Sequence, residues 1–281
     1  MEKIGIISPA NSIIGDKNIE QFNNGVKKLQ ENGFDVIIGT NVFSNTKGYC
    51  GSIEEKLEDI YDVCQKAKYI ICSTGGINSN IILEKLDFEK IKDNVFIGNS
   101  NPVLLFNAFY AKNKQVSYIG PNVKSLGKDD SMFSINCLKQ KIINDYNGIE
   151  TEEENIIVKE GIATGVAIGG NIQSLRRIIG LEVFPKIDNY ILYLEADSNE
   201  TNITEYESII SQFKQANIIK RATGIILGAS NYDVIYYEEI FKDFNGPIII
   251  CKNIGHNVHN NLVPIGKNIS IIKNRIIEVK E

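Results

Sequence analysis

The sequence predicts an α/β protein: an N-terminal doubly wound parallel sheet domain plus a smaller β-rich C-terminal domain, with a candidate site between them. Three observations carry this expectation. Short apolar runs alternate with amphipathic helical stretches over residues 1–120, the pattern of a parallel sheet covered by helices. Over residues 121–160 the composition turns polar and acidic, with Gly127-Lys-Asp-Asp130 and the run 150–154, as a solvated linker would. Beyond that point short strands follow one another with few helices. The expected division is 1–139 for the nucleophile-bearing domain, 140–160 for a linker and 161–281 for the second domain. A chain of 281 residues favours two domains over one.

Taken in order, residues 4–7 read as a buried strand ended by Ser8-Pro9. A helix is expected over about 19–32, with Phe22, Val26 and Leu29 on one face and Gly33 as its stop. Residues 35–38 are strand-like, and Ser52-Ile-Glu-Glu55 is a capping box opening a helix through Leu57, Ile60, Tyr61 and Cys64. After the strand 69–72 come Gly75-Gly76 and an apolar helical stretch through Leu86. Residues 95–98 form the next strand, followed by a helix with Val103, Phe106, Phe109 and Tyr110 on one face. There Asn101 is expected as N-cap and Pro102 at the first helical position. Residues 116–119 make a fifth strand. In the second half, 161–168 lead to a turn at Gly169-Gly170-Asn171, and Asn171 caps a helix ended by Gly180. Residues 190–194 are a strand finishing at Glu195, Asn202 opens a helix, and 224–227 and 247–251 are strands. A hairpin closes the chain, turning at Lys273-Asn274.

Bulk properties exclude several function classes. A net charge of -5 and a pI near 5.3 argue against a general nucleic-acid binder. No apolar run reaches the ~18 residues of a membrane span, and the first residues lack the shape of a signal peptide, so a cytoplasmic location is expected. The five cysteines show no Cys-x-x-Cys spacing, and neither a disulfide framework nor a metal site is expected. Gly75-Gly76 falls short of a nucleotide-binding fingerprint, and no cofactor is expected.

Gly98-Asn-Ser100-Asn-Pro102 puts Ser100 on a sharp turn between a strand and a helix N-terminus, the geometry that exposes a serine nucleophile. On these residues alone an ordinary capping turn is the favoured reading. A nucleophilic serine needs a base and a group to orient that base. His256 and His259 are the only histidines. Ser100, Glu195 and His256 each stand just past an apolar strand, although each also fits a plain loop residue.

The succession of segments resembles the LD-carboxypeptidase family of serine peptidases, which includes the microcin-immunity peptidases. The resemblance rests on Ser8-Pro-Ala10, Thr74-Gly-Gly-Ile-Asn-Ser-Asn80 with Leu86-Asp87, Gly98-Asn-Ser100-Asn, Ala108-Phe-Tyr-Ala-Lys112 to Gly120-Pro121, Gly169-Gly-Asn171, Leu192-Tyr-Leu-Glu195, and Gly255-His256 with Pro264-Ile-Gly266. It implies a serine carboxypeptidase with Ser100 as nucleophile, His256 as base and Glu195 orienting it. The amides of Gly76 and Asn101 would form the oxyanion hole, and Gly75, Gly169 and Asn171 would complete the substrate site. His259 does not match the family's histidine and is read as a loop residue. The implied substrate is a murein tetrapeptide losing D-alanine, or else a peptidyl- or aminoacyl-nucleotide; a peptide-binding protein without catalysis is the reading from another class. A homodimer is implied as well. The chain departs from the family at Asn101, which replaces an Asp, and at Thr74, which stands where typical LD-carboxypeptidases carry an arginine. It also has no Trp. Arg176 and Arg177 could meet a substrate carboxylate or simply be exposed helix charges.

Overall fold

The computed structural model describes residues 1–146, 148–149, 154–197, 201–228 and 232–279; of the acidic run 150–154, only Glu154 lies within them. The first half runs β1 (Glu2–Ile7), α1 (Asp16–Glu31), β2 (Phe34–Ile38), α2 (Ile53–Cys64), β3 (Tyr69–Cys72), β4 (Val95–Gly98), α3 (Val103–Asn113) and β5 (Ser117–Ile119). These strands pair in parallel in the order β5-β4-β3-β1-β2. The doubly wound sheet is thus present. Helix α1 begins three residues earlier than the apolar spacing predicts, because Gly15 (φ 84) turns the chain and Asp16 suits the first turn. Its expected face is buried at Phe22, Val26 and Leu29. The capping box of α2 is formed: Ser52 Oγ accepts from the Glu55 amide at 3.1 Å, and Glu55 accepts from the Ser52 amide at 2.6 Å.

The stretch after β3 differs from expectation. Two short 3₁₀ turns, Ser79–Ile82 and Phe88–Ile91, replace a longer helix. Much of the polar stretch from 121 is also helical, as α4 (Val123–Leu126) and α5 (Met132–Ile142). Its apolar residues Val123, Leu126, Ile135, Leu138 and Ile142 share the core with β1 and α1, and the polar Ser131, Ser134 and Lys141 are buried with them.

The second half runs β6 (Ile156–Lys159), β7 (Ile162–Asn171), α6 (Ile172–Leu175), β8 (Tyr190–Glu195), α7 (Ile203–Gln215), α8 (Ile218–Arg221), β9 (Ala222–Leu227), α9 (Val234–Ile240), β10 (Ile248–Ile250), β11 (Val263–Ile265), β12 (Asn268–Ile272) and β13 (Arg275–Glu278). Seven of these strands form a second sheet, β13-β12-β7-β8-β9-β10-β6, parallel from β7 to β10 and antiparallel at both ends. Strand β11 instead crosses back and pairs antiparallel with β5 at the edge of the first sheet. An edge position tolerates Pro264, which has no N–H to donate.

Gly169-Gly170 forms no turn. Both residues continue β7, with φ of 123° and 139°, because α3 lies directly against them: a Cβ on Gly170 would meet Val103 Cγ1 at 2.2 Å. Asn107 of α3 fastens the contact, donating to Gly169 O at 2.8 Å and accepting from its amide at 2.9 Å. Helix α3 is buried from Val103 to Tyr110 and shares one core with Ile168, Leu175 and Ile191 of the second half. Burial of side chains such as Phe106 and Phe109 is worth roughly 2–3 kcal/mol each. The helix that follows Ser100 therefore locks the two sheets together.

Candidate active site

Ser100 stands between β4 and α3 with φ 65°, a left-handed conformation. For a residue carrying a Cβ this costs on the order of 1–3 kcal/mol, so neighbouring contacts must hold it. They do so on both sides. The Asn99 amide donates to Asn122 Oδ1 at 3.0 Å, and the Asn99 side chain donates to Gly255 O at 2.7 Å. Asn101, fully buried, accepts from the Ser79 amide at 2.6 Å and from its hydroxyl at 2.7 Å, and donates to Ser174 Oγ at 3.2 Å. The Asn101 side chain therefore does not cap α3, contrary to expectation. It is spent on tertiary partners, and Pro102 rather than Asn101 immediately precedes the helix.

Gly75 comes so close to Ser100 that a Cβ there would lie 2.8 Å from Ser100 Cβ. Gly76 has φ 140°, and its Cβ position is filled by Asn11. The amides of Gly76 and Asn101 have no acceptor among the described residues. Ser100, Gly75, Gly76 and His256 line one polar cleft of ≈ 510 Å³.

Glu195 ends β8 opposite Asn171 of β7 and is 1% exposed. One of its oxygens is hydrogen-bonded to His256 Nδ1; the other accepts from Asn171 Nδ2 at 3.2 Å. Asn171 also provides the expected cap, accepting from the Ser174 amide at 3.1 Å, although α6 ends at Leu175 and not at Gly180. The His256 loop is set by Gly255 (φ 118°), whose amide donates to Asn260 Oδ1 at 3.0 Å; a Cβ on Gly255 would meet Glu195 Cγ at 2.7 Å. Of the predicted residues, the structure brings Ser100, Gly75, Gly76 and His256 to the cleft, with Glu195 buried behind the histidine. Asn171 supports Glu195, and Gly169 is held in β7 by Asn107, away from the cleft lining. Arg177 donates to Gln173 O at 2.5 Å and Arg176 lies 3.9 Å from Glu205; neither lines the cleft. His259, a loop residue, is 2.9 Å from Asp130.

Burial pushes the Cys72 thiol at the end of β3 far up and that of Cys251 up to about 12, so both act as apolar filler beneath the site. Among the described residues no group of three His, Cys, Asp or Glu side chains could hold a metal ion, and no helix is long and apolar enough to cross a membrane. The sequence reading missed Asn99, Asn122 and Asn260, which tie the Ser100 and His256 loops together. Their only signal was an abundance of Asn immediately beside Ser100 and His256.

The LD-carboxypeptidase N-terminal domain matches residues 4–120 and the LD-carboxypeptidase C-terminal domain residues 164–271. YocD of Bacillus subtilis (strain 168), named as a carboxypeptidase, is 28% identical, with 94% of this chain and 91% of that protein covered. The microcin C7 self-immunity protein MccF of Escherichia coli is 28% identical over 79% of this chain and 73% of its own. A structure of MccF in complex with aspartyl sulfamoyl adenosine has a TM-score of 0.89 at 23% identity, covering 100% of this chain and 96% of that one. A muramoyltetrapeptide carboxypeptidase from Oxalobacter formigenes has a TM-score of 0.81 at 20% identity, covering 98% and 97%. With both family domains matched in order along one chain, this protein belongs to the LD-carboxypeptidase family and is a serine-type carboxypeptidase.

Proposed function

We propose that Ser100 is the nucleophile of a Ser100–His256–Glu195 triad that hydrolyses the amide before a C-terminal residue, with the L,D bond of a murein tetrapeptide as the substrate. The observation that carries this reading is the buried Glu195 bonded to His256 Nδ1, with His256 lining the same cleft as a strained Ser100. Ser100 Oγ attacks the scissile carbonyl while His256 Nε2 takes its proton. The tetrahedral oxyanion is met by the amides of Gly76 and Asn101, each such donor being worth about 10²–10³ in rate. His256 then gives its proton to the leaving amine, and the acyl-enzyme is released by water through the same groups. Glu195 fixes the tautomer and steadies the imidazolium, and Gly75 leaves room for the hydroxyl. The protein would work in the cytoplasm as a homodimer.

A second reading is hydrolysis of a peptidyl- or aminoacyl-nucleotide. It is favoured by Thr74, which lacks the guanidinium of typical LD-carboxypeptidases, and by the likeness to MccF. Mass spectrometry of the parent and of Ser100→Ala with a murein tetrapeptide separates these readings. Release of D-alanine by the parent alone supports the first. Cleavage of an aminoacyl sulfamoyl adenosine without D-alanine release supports the second, and silence on both points to a binding protein.

A further inference from the structure

A carboxypeptidase must distinguish a chain end from a continuing peptide, and a fixed cation is the direct way to read a terminal carboxylate. Thr74 cannot supply that charge. Two lysines line the cleft with Ser100: Lys128, which is exposed, and Lys124, which is half-buried. The Lys124 ammonium donates to Asn18 Oδ1 at 3.3 Å, and among the described residues no carboxylate lies within ion-pair distance of it. Burial, with Lys128 adding to it, pushes its pKa below the ordinary lysine value, so an arriving anion would find an undercompensated charge.

Its backbone is as firmly placed as that of the nucleophile. The Lys124 amide donates to Ser73 O at 2.9 Å, at the end of the strand leading into Gly75. Two residues earlier, Asn122 accepts from the Asn99 amide beside Ser100. The start of α4 is thus fastened to the C-terminal ends of β3 and β4, which carry the two sides of the reaction centre.

We propose that Lys124 binds the free terminal carboxylate of the substrate's leaving residue, an inference that rests on the carboxypeptidase reading of this cleft. The ammonium moves no proton in the reaction; it sets which end of a peptide enters. The test uses the full-length Ser100→Ala protein and calorimetric binding of a murein tetrapeptide with either a free or an amidated C-terminus. The acid should bind about 10- to 100-fold tighter than the amide, the range expected for a hydrogen bond between charged groups. Lys124→Gln and Lys124→Met in that background should erase the preference by weakening the acid alone, and Lys124→Arg should retain it. Acid preference that survives Lys124→Gln overturns the proposal, as does equal binding of both forms, or no binding of either, by Ser100→Ala. Release of D-alanine by the parent is scored separately. Its absence would count against murein hydrolysis, while the binding comparison still decides the role of Lys124.

Discussion

Gly75 and Ser100 face each other with room for a hydroxyl and nothing larger: a Cβ on Gly75 would lie 2.8 Å from Ser100 Cβ and 2.9 Å from its Oγ. Such distances force one of the two residues to move. Gly75→Ala should therefore displace the serine, and a shift of about 1 Å at a reacting group can cost about 10²-fold in rate. A drop in kcat of that size with an unchanged melting temperature is the expected outcome. Full activity in Gly75→Ala would mean that Ser100 has slack and that its strained turn is not tuned for attack.

Glu195→Gln keeps the shape of the side chain and its place behind His256, but removes the charge that holds the imidazole in one tautomer. A loss of about 10⁴-fold in kcat is expected, the size seen when a triad carboxylate becomes an amide. KM should change little, because Glu195 is buried behind the histidine and does not line the cleft. Steady-state kinetics on the cleaved substrate checks this. A rise in KM with kcat preserved would move Glu195 from catalysis to binding.

Much of the candidate site was legible because each of its three central residues stands at or beyond the C-terminal end of an apolar strand, where a parallel sheet puts its ligands. Ser100 follows β4, Glu195 ends β8, and His256 lies in the loop after β10. The family's order of Ser, Glu and His then joined residues that spacing alone left apart. What escaped reading depends on partners distant in sequence. Asn101 fits an N-cap by every local criterion, yet Ser79 and Ser174 claim its side chain. Gly169-Gly170 fits a turn, yet the packing of α3 keeps it in a strand. Strand β11 is three residues long and contains a proline, so only its pairing with β5 makes it a strand.

The two halves are also tied by a buried ion pair. Lys141 of α5 lies 2.8 and 3.0 Å from the two carboxylate oxygens of Glu278 in β13, and Lys267 approaches one of them at 3.3 Å. Removing one partner of a buried pair leaves the other charge poorly compensated, at about 3–5 kcal/mol. Lys267 still faces Glu278 here, so Lys141→Met should destabilise by the lower figure, about 3 kcal/mol. Replacing both residues with apolar ones should recover most of that loss. Chemical denaturation of the single and double variants reads both values; a single variant as stable as the parent would show that the pair contributes nothing.

Lys56 sets a pH dependence of stability. Lys56 is 4% exposed, and its ammonium donates to the carbonyls of Ser8 and Ala10, pinning the loop that carries Asn11 against Gly76. Burial lowers its pKa from the ordinary lysine value to about 8. Between about pH 8 and 10.5 the unfolded chain therefore holds a proton that the folded chain has released, and stability rises with pH across that window. Below pH 8 both states are protonated, and the folded protein bears the full cost of burying the charge. A shift of this size corresponds to about 3 kcal/mol at most. Lys56→Met has no such proton to release. The difference in unfolding free energy, parent minus variant, should therefore climb with pH from 8 to 10 and stay flat from 6 to 7. Taking the difference cancels the buried tyrosines, whose phenols burial holds up in the folded state and which titrate near their ordinary value of about 10 only on unfolding, equally in both proteins. Denaturant titrations at each pH give the slope, and a difference that is flat throughout would place the Lys56 ammonium in a better-solvated setting than its burial implies.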